Sequence, residues 1–241
     1  MTEDRWSNQM ITERIGSIRE RMSAAAAAAG RSPEDITLMA VTKTIPAQVV
    51  NLAFGAGVRL FGENRAQELL ERREQYCFDS SAIHFIGKLQ SNKVRQIIDK
   101  VSCIQSVDSL SLAQEIAKRA RQADKTMPIM LEVNIGGEAS KAGFAPAETA
   151  AAVEKTAALQ GITVCGLMTI PPKTENLAET QRYFDQMYKL FVDIKHKKID
   201  NSTMVYLSMG MSGDYETAIR AGANLVRVGS GIFGTRIYPK V

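Results

Sequence analysis

Lys43 ends the run ITLMAVTK, residues 36–43, where an apolar segment gives way to the polar residues Thr42, Lys43 and Thr44. A primary amine at such an edge can snorkel into water. Beyond the carboxyl end of a buried strand it can also attack a carbonyl. A second group of chemically capable residues lies in LSMGMSGDYETAIRAGANLVRVGSGIFGTR, residues 207–236. There Gly210, Met211, Ser212 and Gly213 form one glycine-bearing turn, and Gly229, Ser230 and Gly231 form another. Small residues let backbone N–H groups approach an anion closely, so such turns suit phosphate. Ser212 adds a hydroxyl to that cradle, or else caps the helix that follows it. Arg227, flanked by Val226 and Val228, points opposite to both. It faces either a cavity at the strand ends or a carboxylate in a helix layer, and in a cavity its charge needs a partner such as phosphate or a ring nitrogen.

These residues need a scaffold, and the hydrophobic pattern supplies one. Ile11, Ile15, Ile18 and Met22 recur at helical spacing within residues 8–29, and the alanines that follow end at Gly30 and Pro33. That helix precedes the first strand and is an extra layer. Short apolar runs then appear at 36–43, 58–61, 82–86, 102–105, 127–133, 162–167, 203–207 and 225–228. Helical stretches separate them. Asn64 opens the helix after the second run as a candidate cap, with Ala66, Leu69 and Leu70 on its apolar face. Leu177, Phe184, Met187, Phe191 and Ile194 mark the longest later helix, whose terminal KHKK, residues 195–198, complements the helix dipole. The stretch NIGGEASKAGF after the fifth run reads as a substantial loop at the active face. Eight strands alternating with helices over 241 residues predict an α/β fold, a single-domain (β/α)8 TIM barrel spanning about residues 36–234 behind the extra N-terminal helix. An open doubly wound sheet is the alternative, but no G-x-G-x-x-G follows the first strand.

In a closed barrel strand one lies beside strand eight. Lys43 is then a neighbour of the two glycine turns. A ligand with a phosphate at one end and an aldehyde a few ångströms away joins them, which describes pyridoxal 5'-phosphate held on the lysine as a Schiff base.

Composition narrows the class further. A net charge of +4 with 23% charged residues is a mild basic excess that does not call for nucleic acid or an anionic membrane surface. Cys77, Cys103 and Cys165 are odd in number and contain no C-x-x-C, and the histidines are His84 and His196 alone, so neither a disulfide framework nor a soft-metal site is expected. No run is long and apolar enough for a membrane span and none resembles a signal peptide. A reduced, cytoplasmic protein is the expectation.

The stretches AVTKTIP, FGENRAQE, HFIGKLQSNK, IQSVDS, VNIGGEASKAGF, GLMTIPP and LSMGMSGDYETAIRAGANLVRVGSGIFG together resemble the pyridoxal phosphate homeostasis protein family, whose barrel is related to the N-terminal domain of alanine racemase. The resemblance covers residues 40–234. It implies that Lys43 carries the cofactor and that Asn64 lies near its ring. It further implies cofactor-binding roles for His84, for Met209, Ser212 and Gly213 of the M-G-M-S-G stretch, and for Arg227, Gly229 and Ser230. Arg227 is expected opposite the pyridine nitrogen, with Ser212, Gly213 and Gly229 on the phosphate. Lys93 is a looser candidate for the pocket wall, beside Gln90 and Asn92 of the same motif. Asn224 departs from the Thr or Ser common in the family, at a strand start away from the pocket.

An always-protonated arginine opposite the ring nitrogen makes the ring a weaker electron sink. The residues after the barrel are too few for the second racemase domain, and nothing fixes Tyr238 as a replacement for its tyrosine. The leading expectation is therefore a monomeric protein that binds pyridoxal phosphate in vitamin B6 homeostasis without catalysis and passes it to transient apoenzyme recipients. A low-activity amino acid racemase using Lys43 as acid/base is the first alternative. A module binding protein or nucleic acid is the second.

Overall fold

The computed structural model describes residues 6–138 and 140–235, so Tyr238 lies outside the described residues. Eight apolar runs become eight parallel strands: β1 (Thr37–Val41), β2 (Leu60–Glu63), β3 (Ile83–Phe85), β4 (Cys103–Val107), β5 (Met127–Glu132), β6 (Ile162–Met168), β7 (Ser202–Met211) and β8 (Leu225–Val228). Neighbours in sequence pair in order, and β1 pairs with β8 through Thr37–Leu225 to Ala40–Val228, closing a barrel. Nine helices are described: α1 (Asn8–Ala28), α2 (Ala47–Gly55), α3 (Ala66–Arg72), α4 (Val94–Ile97), α5 (Leu110–Gln122), α6 (Pro146–Ala157), α7 (Leu177–His196), α8 (Tyr215–Arg220) and α9 (Ser230–Phe233). The open doubly wound sheet is thereby excluded.

Alternation along each strand divides the core in two. Val226 and Val228 pack outward with the helix layer, whereas Leu225 joins Met39, Val41, Cys103, Met130 and Cys165 in the barrel interior. The extra helix α1 buries Ile11, Ile15, Ile18 and Met22 against the outside of the barrel, where it touches α2, α8 and α9. Arg14 donates to Ile232 O, and Arg31 donates to Ile219 O and Ala223 O, fastening both ends of that layer.

Several boundaries differ from the sequence reading for identifiable reasons. β2 begins two residues late and takes in Glu63, which is fully buried because Arg72 and Tyr76 meet it there. α3 stops at Arg72 and continues only as a 3-10 turn, leaving Leu70 37% exposed. Leu177 is not on the buried face of α7 but 74% exposed at its first turn. Asn224 accepts from Leu207 N at 2.7 Å and donates to Val205 O at 2.6 Å, so its amide staples β7 to the residue before β8. The loop after β5 closes on an Asn134 amide bond to Glu138 O, a Lys141–Glu138 ion pair and a bridge from Val133 to Phe144.

Candidate functional site

A cavity of about 560 Å³ opens at the carboxyl-terminal mouth of the barrel. Lys43, Asn64, Ser212, Gly213, Arg227, Gly229 and Ser230, seven of the nine residues singled out above, line it. They come from the ends of four strands, β1, β2, β7 and β8, or the loops just after them, which is where barrels of this kind place ligands.

Lys43 stands two residues past β1, in a turn whose next residue, Thr44, has φ of 63°. A non-glycine residue in the left-handed region must be held there by its surroundings. Arg72 provides the hold: its Nη1 donates to Ile45 O at 2.6 Å and to Thr42 O at 3.3 Å, on both sides of Lys43. Its Nη2 donates to Glu63 at 3.0 Å and to Glu68 at 2.9 Å, and Glu68 in turn accepts from Thr44 N at 3.0 Å. Tyr76 donates to the other Glu63 oxygen at 2.5 Å. Burial, then the Glu63 charge, holds the Tyr76 phenol well above its ordinary range. The sequence reading missed this clamp. Its one sequence signal was a charged Glu63 at a strand end with Arg72 one α3 length away.

Asn64 does not cap α3. The cap position falls to Arg65, and the Asn64 Oδ1 is buried without a hydrogen-bond partner. It is thus an acceptor beside the cavity, not a helix-terminal group. Gly87 allows its placement, since a Cβ there would lie 1.9 Å from Asn64 O.

Ser212 does not cap α8 either; the cap position is Asp214, which accepts from Met211 N at 2.6 Å. The Ser212 hydroxyl instead accepts from both Gly229 N and Gly231 N at 3.2 Å. Two backbone N–H groups from the loop after β8 therefore converge on one oxygen. A Cβ added at Gly213 would meet no protein atom within 4 Å, so the wall there is open to the cavity.

Arg227 faces the cavity and the barrel interior, not the helix layer, and is 3% exposed. Its Nη1 donates to Ser208 Oγ at 2.7 Å and its Nη2 to Thr169 O at 2.8 Å. Burial pulls its pKa down to about 10, while Asp214 and Glu132 oppose that fall, so the guanidinium remains charged near neutrality. Burial, then the like charge of Asp108, pushes Glu132 up to about 7.

His84 and Met209 are not at this cavity. Met209 is fully buried in the core between barrel and helices, because its neighbour Ser208 takes the inward direction on β7. His84 lies in the middle of β3 and borders a separate cavity at the amino-terminal mouth with Leu38, Leu60 and Tyr206. Lys93 and Gln90 line a further neighbouring depression that shares Asn64. Asn92 is exposed.

Burial holds the His84 imidazole down to about 4 from 6.5, so it is neutral in the folded chain at neutral pH. Because the folded pKa is the lower one, its contribution to stability is complete above pH 6.5 and is lost as pH falls toward 4. The destabilisation caused by His84→Gln is therefore expected to be smaller at pH 4.5 than at pH 7 by roughly 2–3 kcal/mol. Urea unfolding of both proteins at the two pH values checks this, and an unchanged difference would contradict a buried neutral imidazole.

No group of three or more metal-ligating side chains is present among the described residues, and no described helix is long and apolar enough to cross a membrane. The barrel, with a lysine after its first strand and an arginine on its last, defines the class to which the chain belongs: the family model for the alanine racemase N-terminal domain matches residues 14–237. Within that class the chain belongs to the pyridoxal phosphate homeostasis protein family. It is 39% identical over 226 residues to the pyridoxal phosphate homeostasis protein of Aquifex aeolicus, covering 94% of this chain and 98% of the relative. Identity to the Pseudomonas aeruginosa protein of the same description is 40% over 228 residues, covering 95% and 96%. Among solved structures, PipY of Synechococcus elongatus with pyridoxal phosphate bound superimposes with a TM-score of 0.79 at 32% identity, covering 93% of this chain and all of that one.

Proposed function

We propose that this chain binds pyridoxal 5'-phosphate on Lys43 and serves intracellular vitamin B6 homeostasis as a holder of the cofactor, without catalytic turnover. The observation that carries this reading is the one cavity lined both by Lys43 and by Ser212, Gly213, Gly229 and Ser230 of the two glycine turns, with Ser212 Oγ gathering the Gly229 and Gly231 N–H groups at its edge. The donor set fits the group: an amine for an aldehyde, converging N–H groups and the Ser212 hydroxyl for phosphate, and a buried arginine for a ring nitrogen. The orphaned Asn64 Oδ1 adds an acceptor at the same wall. Bound there, the cofactor supplies an aldehyde that condenses with a primary amine and releases water.

The chain's own residues favour retention over turnover. Arg227 stays protonated and only donates, so it discourages a proton on any ring nitrogen it faces. Transfer to apoenzyme recipients, a monomeric state and a cytoplasmic location complete the proposal, with neither nucleic acid nor membrane as a partner. Titration with pyridoxal phosphate is expected to produce a visible absorbance band saturating at one equivalent. Deuterium incorporation from solvent at Cα of a panel of amino acids is expected to match a Lys43→Ala control. Incorporation above that control would replace the holder reading with the racemase one.

A further inference from the structure

Behind Arg227 a line of polar side chains crosses the apolar barrel interior. Arg227 donates to Ser208 Oγ at 2.7 Å, Ser208 Oγ bonds Gln105 Oε1 at 2.7 Å, and Gln105 Nε2 bonds His84 Nδ1 at 2.8 Å. Gln105 and Ser208 are fully buried, His84 is 7% exposed, and the four residues come from four strands. Around them the interior is Met39, Met130, Cys103, Cys165 and Leu225. Buried polar groups in such surroundings are costly unless each is paired.

The direction of every bond in this line follows from one fact. Arginine can donate but cannot accept. The Ser208 oxygen therefore accepts from Arg227, and its one proton goes to Gln105 Oε1. With the Gln105 carbonyl taken, its NH2 turns to His84, whose Nδ1 must be the acceptor and whose ring proton sits on Nε2. The neutral state that burial imposes on His84 agrees with that assignment. Thr169 O takes the Arg227 Nη2 at 2.8 Å, so two bonds fix the plane of the guanidinium.

We infer that Ser208, Gln105 and His84 form a positioning relay that sets the orientation in which Arg227 is presented to the bound cofactor. None of the three touches the cavity that holds Lys43; they act through Arg227. This inference rests on the proposed pyridoxal phosphate site and adds to it the residues that tune it. Thr169 O alone leaves the guanidinium free to rotate about a single bond, and a cation that moves relative to the ring changes both affinity and colour.

The test compares Gln105→Leu, Ser208→Ala and Ser208→Thr with wild type, with Arg227→Gln as the reference for a lost cation and Met130→Leu as an interior control off the relay. Pyridoxal phosphate is the probe, and affinity and the position of the visible band are read alongside thermal unfolding. Gln105→Leu and Ser208→Ala are expected to weaken binding by about tenfold, the value of one hydrogen bond to a charged group. Their band is expected to move toward that of Arg227→Gln. Ser208→Thr, which keeps the hydroxyl, is expected to retain the wild-type band. Should Gln105→Leu fail to fold, the Ser208 pair decides alone, because both variants keep a small side chain. A wild-type band and affinity in folded Ser208→Ala, whatever its melting temperature, would reduce the relay to core packing and overturn the inference. The proposed function is read separately: it fails only if wild type itself shows no saturable band.

Discussion

Lys43→Ala is expected to remove the visible band that pyridoxal phosphate gives at saturation and to weaken binding at least about 100-fold, or about 2.7 kcal/mol. What remains is expected to be the contribution of Ser212, Gly213, Gly229 and Arg227, the proposed non-covalent holders of phosphate and ring. Folding is expected to be unaffected within about 0.5 kcal/mol, since Lys43 is half-buried in a surface turn away from the core. Absorbance titration and equilibrium dialysis measure the first two effects and urea unfolding the third. A band that survives the substitution would move the reactive amine elsewhere.

Arg72→Met is expected to be the most destabilising single change near the site. Glu63 is fully buried and Arg72 is its cation, so the variant strands a carboxylate with only the Tyr76 hydroxyl to satisfy it. Removing one partner of a buried ion pair costs about 3–5 kcal/mol. The same substitution releases Thr42 O and Ile45 O, the two carbonyls that hold the turn carrying Lys43. Lower stability and weaker cofactor retention should therefore appear together. Arg72→Lys keeps a charge but cannot serve two carbonyls and two carboxylates from one planar fork, and is expected to fall between wild type and Arg72→Met. Denaturant unfolding with a parallel titration tests both; loss of stability with wild-type affinity would mean that the turn at Lys43 holds its shape without the clamp.

The barrel was legible because its strands are short apolar runs ending in polar residues, and because Lys43, Ser212 and Arg227 all fall within two residues of a strand's carboxyl end. Alternation alone left Arg227 between two faces. Its bonds to Ser208 and Thr169 decide the matter, and both partners are too far away in sequence to be seen. Nothing in the sequence marked Glu63 as buried, because its partners Arg72 and Tyr76 reach it only in the fold. His84 was carried into the site by motif proximity, yet it lies within β3 and borders the cavity at the other mouth of the barrel. Met209 was carried in with Ser212, although alternation along β7 turns it to the opposite side.

Borohydride reduction of wild-type protein saturated with pyridoxal phosphate, followed by peptide mapping, tests the central claim most directly. The account predicts one equivalent of label on the peptide containing Lys43. Label scattered over surface lysines, with Lys43 unmodified, would contradict it and leave the glycine loops after β7 and β8 as a cradle for some other phosphate.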